Sequence, residues 1–157
     1  MNNAVPPRPE LEPLRKSITV NLSAVAAFEL FTEGLGRWWP YKKYSVSGER
    51  TMSCLMEPRQ GGRVYELRDD GETFDWGKVL AWEPPHRLVL AWHPGRGPQT
   101  AQEVEFRFTE QQGATRIELE HRGWASLGDQ ARDIRANYEG GWDTVLGKFL
   151  ESAGQGT

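Results

Sequence analysis

The sequence lacks the residues that usually build disulfides and metal centres. Its single cysteine, Cys54, has no partner in the 157 residues of the chain, so no intramolecular disulfide is expected. Cys54 alternates with Met52 and Met56, a pattern that predicts a buried and unreactive thiol. The chain has only three histidines, and no two of them stand at a short ligand spacing. We therefore expect neither a metal nor another cofactor.

Long apolar runs and an excess of one charge sign are absent as well. The 19 lysines and arginines and the 22 acidic residues give a net charge of −3, with both signs interspersed. This distribution argues against a nucleic-acid-binding surface. Residues 1–13 contain Pro6, Pro7, Pro9 and Pro13 and no apolar run, so they predict neither a signal peptide nor a membrane anchor. We expect a cytoplasmic protein without a nucleic-acid partner or a membrane span.

Common catalytic and nucleotide-binding motifs are also missing. The sequence contains no G-x-S-x-G nucleophile motif, no phosphate-binding P-loop and no G-x-G-x-x-G motif before a helix. The glycine pairs Gly34–Gly36 and Gly95–Gly97 lack the strand–helix context of a phosphate site and indicate turns. No reaction class can therefore be assigned from a short motif.

Tryptophan is abundant instead. A buried tryptophan contributes a large apolar surface and an N–H group that needs a partner. So many in a small domain predict either a heavily aromatic core or an aromatic-lined cavity, and both interpretations stay open. Because Trp38 and Trp39 are adjacent, we expect one to pack inward and the other to lie nearer the surface. The seven tryptophans are Trp38, Trp39, Trp76, Trp82, Trp92, Trp124 and Trp142.

The longest regular pattern lies near the end of the chain. Apolar residues recur at steps of three and four between Gly128 and Ser152, which predicts one amphipathic helix. About 22 helical residues would span roughly 33 Å. Gly140 and Gly141 fall inside it and indicate a tolerated kink, the close approach of a strand, or room for a bound molecule. The apolar positions are Ile134, Tyr138, Trp142, Val145, Leu146, Phe149 and Leu150.

Shorter elements precede this helix. Ser23 is a candidate N-cap for a helix over Ala24–Thr32, and Pro40 ends a second helical turn. The chain then alternates short strands with turns, which predicts an α+β fold of order β-α-α-β6-α. A curved antiparallel sheet of six to seven strands would wrap around the last helix, leaving a cavity between them. The predicted strands are 14–21, 51–57, 63–68, 73–82, 87–93, 102–109 and 115–121.

These elements suggest one domain over residues 14–152, between a flexible proline-rich arm (1–13) and a short tail (153–157). The inner face of the fourth strand is ambiguous. Either Gly77 and Val79 point inward, or Trp76, Leu80 and Trp82 do.

Two polar residues fall on strands that line the expected cavity. Glu66 points either into it or to solvent, and burial would raise the pKa of an inward carboxyl. His121 shares its face with Ile117 and Leu119 and should point inward, as a hydrogen-bonded core or rim residue more often than as a catalyst.

An ordered series of short motifs resembles a known family. Gly61–Glu66, Asp70–Gly71, Trp76–Leu80, Glu83–Trp92 and Gly140–Trp142 follow one another as in the START-like (SRPBCC) superfamily. Within it, the series is similar to the group related to the C-terminal domain of the activator of Hsp90 ATPase. The resemblance covers about residues 14–151 and implies a helix-grip fold. The superfamily includes lipid carriers, hormone receptors, polyketide cyclases and co-chaperone domains, so the fold alone does not give the function.

Three functions follow as hypotheses. The first is binding of a small hydrophobic or aromatic ligand, lipids included, with Glu66 and His121 as polar anchors. The second is a co-chaperone like the Hsp90 ATPase activator, or a stress-related interaction module, that uses an exposed Trp38 or Trp39. The third is a cyclase, dehydratase or hydrolase with Glu66 and His121 as its acid–base pair. A homodimer stays open. The predicted apolar wall consists of Trp76, Trp92, Phe106, Phe108, Tyr138, Trp142 and Val145.

Overall fold

Seven antiparallel strands form one sheet in the computed structural model, which describes residues 11–155. Their order in the sheet is β1-β7-β6-β5-β4-β3-β2, so the first strand pairs with the last, from Leu14 opposite His121 to Val20 opposite Thr115. The predicted helix-grip sheet of six to seven strands is confirmed. The strands are β1 (Leu14–Val20), β2 (Thr51–Met56), β3 (Arg63–Arg68), β4 (Thr73–Glu83), β5 (Arg87–Trp92), β6 (Gln102–Gln111) and β7 (Ala114–Arg122).

Three α-helices accompany the sheet in the predicted order: α1 (Ala24–Thr32), α2 (Leu35–Trp38) and α3 (Ala131–Gln155). The Ser23 side chain accepts a hydrogen bond from the Ala26 N–H, which caps α1 as expected. Three short 3₁₀ segments lie at Gly48–Arg50, Pro98–Thr100 and Trp124–Gln130.

The long helix α3 differs from its predicted bounds at both ends. Gly128 has a φ of 60° and a ψ of −134°, so the α-helix starts only at Ala131, after a 3₁₀ segment. At the other end the helix continues to Gln155, and Ala153, which was assigned to a tail, is buried. Residues 1–10 of the predicted arm and 156–157 of the predicted tail lie outside the described residues.

Phe31 of α1 lies at the centre of the core. Its ring centroid is 4.6 Å from that of Phe106 and 5.7 Å from that of Phe108, both on the inner face of β6. It is also 5.2 Å from the ring of Phe149 on α3 and 4.9 Å from that of Trp38 on α2. The sheet and all three helices therefore meet around one aromatic side chain.

Two bulges decide which residues of β4 face the core. Val64 pairs with Gly77 and Tyr65 with Asp75, so Trp76 is an extra residue in the ladder. A second register shift follows Val79. Trp76 and Val79 are both buried, while Lys78 and Leu80 are exposed. Neither of the two period-two interpretations of this strand is therefore right as a whole.

Trp38 and Trp39 are both buried, with exposed fractions of 4% and 7%. The backbone leaves the helix at Trp39, where φ is −64° and ψ is 128°, and this turn directs both side chains inward. Trp38 packs on Phe149 at 5.0 Å, and Trp39 on Trp76 at 5.2 Å. The expectation that one of the two lies near the surface is wrong, and so is that of an exposed Trp38 or Trp39 for partner binding.

The outer face of the sheet contains a buried carboxylate. Glu105 lies on this face of β6, but its exposed fraction is only 5% because arginines cover it. Its carboxyl oxygens lie 2.8 Å from Arg87 Nε, 2.7 Å from Arg107 Nε and 2.6 Å from Arg122 Nη1. Burial alone would raise the pKa of Glu105, but the contacts with these arginines outweigh it and hold the pKa at about 2.

The fold should therefore lose stability in acid through Glu105. Its folded-state pKa lies below the unfolded value of about 4.3, so its charge stabilises the fold above that value, and this contribution is lost as the pH falls toward 2. We expect Glu105→Gln to lower the free energy of unfolding at pH 7, and the difference from wild type to shrink between about pH 4.5 and 2. Urea unfolding over this pH range measures it. Glu118→Gln, at an exposed ion pair on β7, is the control. A difference that does not change with pH would contradict the assignment.

Phe149 and Leu150 offer a matched test of the core. Phe149 is fully buried against Phe31 and Trp38, whereas its neighbour Leu150 is 44% exposed. We expect Phe149→Ala to lower the free energy of unfolding by about 3–5 kcal/mol and Leu150→Ala by less than about 1 kcal/mol. Urea titration at pH 7 measures both. Equal losses would mean that α3 does not pack into the core through Phe149.

Candidate ligand-binding site

A pocket of about 300 Å³ opens between α3 and the loop of residues 39–46 that follows α2. Trp76 of β4, Trp92 at the end of β5 and the turn after β5 complete its wall. This volume is at the lower end of the range for small-molecule sites. Its lining residues are Trp39, Tyr44, Ser45, Val46, Trp76, Trp92, Pro94, Gly95, Ile134, Asn137, Tyr138, Gly141, Trp142 and Val145.

Four tryptophans dominate the wall and pack against one another. The ring centroids of Trp39 and Trp76 lie 5.2 Å apart, and those of Trp92 and Trp142 lie 5.9 Å apart. Each indole N–H donates a hydrogen bond inside the protein, so the tryptophans offer the pocket their rings and not their N–H groups. The acceptors are the Tyr44 carbonyl for Trp39 (2.9 Å), Glu66 Oε1 for Trp76 (2.6 Å), Tyr138 Oη for Trp92 (3.1 Å) and His121 Nδ1 for Trp142 (3.0 Å).

Five of the nine predicted site residues line this pocket: Trp76, Trp92, Tyr138, Trp142 and Val145. Helical spacing also places Ile134 and Gly141 on the same face of α3 as Tyr138, Trp142 and Val145. The contribution of the loop 39–46 was missed. The sequence there has no periodicity, and only the fold shows that the loop returns to α3.

Gly141 gives the pocket part of its width. A Cβ atom built on Gly141 would lie 3.7 Å from Tyr44 Cε1 across the pocket, whereas one on Gly140 would meet nothing within 4 Å. Three interpretations of this glycine pair were open, and room for a bound molecule is the one that fits Gly141. Gly140 lies on the exposed side of the helix.

Phe106 and Phe108 do not line the pocket. Phe106 packs on Phe31 and borders a void of only about 10 Å³, and Phe108 packs on Phe28 at 5.1 Å. Both belong to the core beneath the pocket. The tryptophan rings fill most of the predicted hollow between sheet and helix, so the open volume is confined to one end.

Glu66 points inward and is completely buried. Its carboxylate accepts hydrogen bonds from the backbone N–H groups of Val46 at 2.6 Å and Ser47 at 2.8 Å, and from the Trp76 indole. Burial alone would raise the pKa of Glu66, but these hydrogen bonds outweigh it and the pKa is lowered. The expected rise is therefore wrong, and the residue is an ionised carboxylate.

The position of Glu66 gives it a structural task. It does not line the pocket, but two of its donors, Val46 and Trp76, do. One buried carboxylate thus joins the loop 39–46 to β4 and fixes the position of both beside the pocket. Glu66 shapes the wall instead of contacting the pocket contents.

His121 is also buried, and both of its ring nitrogens have hydrogen-bond partners in the protein. Because Trp142 donates to Nδ1, the ring proton is on Nε2, which lies 3.1 Å from Gln102 Oε1. Burial and the nearby charge of Arg135 lower the pKa of His121 to about 3, so the ring is neutral. It does not line the pocket. Since Glu66 and His121 are both engaged by protein groups, the geometry does not support the predicted acid–base pair or its role as ligand anchors.

The remaining candidate chemistry is sparse. Within residues 11–155, no group of three or more histidine, cysteine or acidic side chains is placed to hold a metal ion. Burial and the charge of Glu66 raise the pKa of the Cys54 thiol, which lies beneath α2. No helix in the same part of the chain is long and apolar enough to cross a membrane.

The loop 39–46 should loosen when Glu66 loses its charge. Glu66→Gln replaces one acceptor oxygen by an NH₂ group that faces N–H donors, and we expect the free energy of unfolding to fall by about 2–3 kcal/mol. Amide exchange at Val46 and Ser47 should accelerate more than exchange in β6. Glu49→Gln, at an exposed position just after this loop, is the control and should change stability by less than about 0.5 kcal/mol. Unchanged protection of the two amides would contradict this role.

Comparison with known proteins gives consistent relatives. The sequence profile of the family described as Activator of Hsp90 ATPase homolog 1-like protein matches residues 21–154. A search of curated proteins gave no match. Among solved structures, the anthrahydroquino-γ-pyrone synthase Txn09 is 31% identical, with a TM-score of 0.61. The match covers 90% of this chain and 97% of the synthase.

Two further structures have the same fold. CalC, a self-sacrificing resistance protein from Micromonospora echinospora, is 27% identical over 91% of this chain and 94% of its own, with a TM-score of 0.66. The Aha1 dimer from Colwellia psychrerythraea is 18% identical over 91% of this chain and 96% of its own, also at 0.66, and supports the fold alone. The predicted START-like membership is confirmed. Because the family profile covers most of the sequence, the chain belongs to the Activator of Hsp90 ATPase homolog 1-like family.

Proposed function

We propose that this protein binds a small hydrophobic or aromatic molecule in the pocket between α3 and the loop 39–46. The observation that carries the proposal is the chemistry of the wall. Four tryptophans and two tyrosines surround about 300 Å³, and none of the lining residues in the described part of the chain carries a charge.

Such a wall favours flat, apolar ligands. Aromatic rings gain from stacked and edge-to-face contacts beyond the burial of their surface, which contributes about 25 cal/mol per Å² of apolar area. A carboxylate or ammonium group would lose its hydration without meeting an opposite charge in the lining. The pocket therefore suits an uncharged ring system better than a fatty acid.

One of the similar proteins supports an aromatic ligand. Txn09 is named as a synthase of an anthrahydroquino-γ-pyrone, which is a fused-ring compound. At 31% identity over nearly the whole of both chains, this likeness supports a ligand of related shape here. It does not extend to the reaction, because the acid–base pair expected from the sequence, Glu66 and His121, does not reach the pocket.

The co-chaperone hypothesis has less support from the geometry. It relied on an exposed Trp38 or Trp39, and both are buried in the core. The family name refers to a homologue of an Hsp90 ATPase activator, and the likeness to the Aha1 dimer is one of fold. We therefore place ligand binding first and regard a chaperone partner and a homodimer as secondary proposals.

The pocket can be tested by filling it from Gly141. We expect an aromatic ketone such as 9-fluorenone to quench the tryptophan fluorescence of the wild type in a saturable manner, because four indoles form the wall. Gly141→Leu should weaken binding at least about tenfold, since its side chain would extend toward Tyr44.

Gly140→Leu is the matched control, because a Cβ there meets open space and both substitutions remove a glycine from the same helix. It should bind as the wild type does. Absence of saturable quenching across neutral aromatics and lipids, or equal binding by the two variants, would overturn the proposal.

A further inference from the structure

We propose that the Tyr138 hydroxyl is the specificity-determining donor of this pocket, and that the preferred ligand presents a carbonyl or similar acceptor oxygen to it. This inference rests on the proposed function and names the polar feature that the ligand must have. A purely hydrocarbon ring system of the same shape should bind less tightly.

The first step is the position of the hydroxyl. The Trp92 indole donates to Tyr138 Oη at 3.1 Å, and both residues line the pocket. The Tyr138 ring packs on His121, at 4.7 Å, and on Trp142, at 6.2 Å between centroids. These contacts and the Trp92 hydrogen bond hold the hydroxyl in place before a ligand arrives.

The second step is the proton of this hydroxyl. A tyrosine hydroxyl can accept and donate at the same time, and Trp92 uses only its acceptor side. Among residues 11–155, no acceptor receives the Tyr138 proton. Burial raises the pKa of Tyr138, more than the Trp92 hydrogen bond and the charge of Arg96 lower it, so the group keeps its proton in neutral solution. A residue of the pocket wall thus carries a donor that no described side chain or backbone group uses.

The third step concerns the other polar groups of the wall. The four indole N–H groups are donated inside the protein. The Ser45 hydroxyl lies 2.8 Å from Thr51 Oγ1 and accepts the Gly48 N–H. Asn137 is exposed at the rim, and the exposed Arg96 donates to Gln130 outside the lining. Tyr44 has a hydroxyl too, but no indole N–H holds its oxygen as Trp92 holds that of Tyr138.

The experiment compares two ligands that differ in one oxygen. 9-Fluorenone and fluorene have nearly the same shape, but only the ketone can accept a hydrogen bond. We expect wild type to bind fluorenone about 5- to 10-fold more tightly than fluorene, as one net hydrogen bond allows. In Tyr138→Phe this preference should be lost, with the two affinities agreeing within about twofold. Tyr41→Phe, outside the lining, should keep the wild-type ratio.

The outcomes separate this inference from the proposed function. If neither these two compounds nor the other neutral aromatics and lipids bind wild type, the proposed function fails. If both bind equally well, the ligand-binding function stands and the donor role of Tyr138 is wrong. Loss of both ligands in Tyr138→Phe would mean a role in packing only. Loss of the ketone preference in Tyr44→Phe but not in Tyr138→Phe would assign the donor to Tyr44 and overturn the inference.

A second measurement uses wild-type protein alone. It complements the variant because Tyr138→Phe also leaves the Trp92 N–H without its acceptor. The carbonyl stretching band of fluorenone should move to lower wavenumber when it binds wild-type protein, because a donated hydrogen bond weakens the C=O bond. A band that stays at its position in an apolar solvent would overturn the inference.

Discussion

A buried indole N–H is costly to leave without an acceptor, and the four indoles that lie side by side next to the pocket all have one, whereas the N–H of the buried Trp124 has none among the described residues. An unpaired donor in the interior costs about 1–3 kcal/mol, so their positions depend on where acceptors can be placed. Trp76 donates to Glu66, Trp142 to His121 and Trp92 to Tyr138. These buried polar residues thus serve as acceptors for tryptophan N–H groups. A ligand can use only the polar groups that are left without such a partner.

This constraint explains why Glu66 and His121 had a different role from the one their sequence positions suggested. Alternation along the strands indicated that His121 faces inward and left Glu66 open, and both side chains are inside. Alternation could not show that indole and backbone N–H groups already occupy them. A buried carboxylate without partners would be strongly destabilising, and the donors around Glu66 remove that penalty while joining a loop to the sheet. The same contacts leave it no free oxygen for chemistry in the pocket.

Local pattern predicted the helices and strands well because their periodicity follows from the burial of one face. Ser23 as an N-cap and the apolar spacing of α3 identify their helices without information on which residues these helices contact. The errors lie where a single residue interrupts the period, as at the bulge at Trp76, or where the backbone changes direction, as at Trp39. The wall formed by residues 39–46 could not be predicted, since its position depends on a carboxylate twenty residues away in the sequence.

The site that results is small, aromatic and held in place before any ligand binds. Packing of the four indoles confines the open volume to the end of the sheet where Gly141 has no side chain and the loop returns. With the loop fixed by Glu66, the pocket has little freedom to adapt, so shape complementarity alone would reject bulky molecules. Shape cannot distinguish a ring ketone from its hydrocarbon, however, and only a directed donor can add that discrimination. Tyr138 is suited to this because the Trp92 hydrogen bond that fixes its oxygen also leaves its proton free for the pocket.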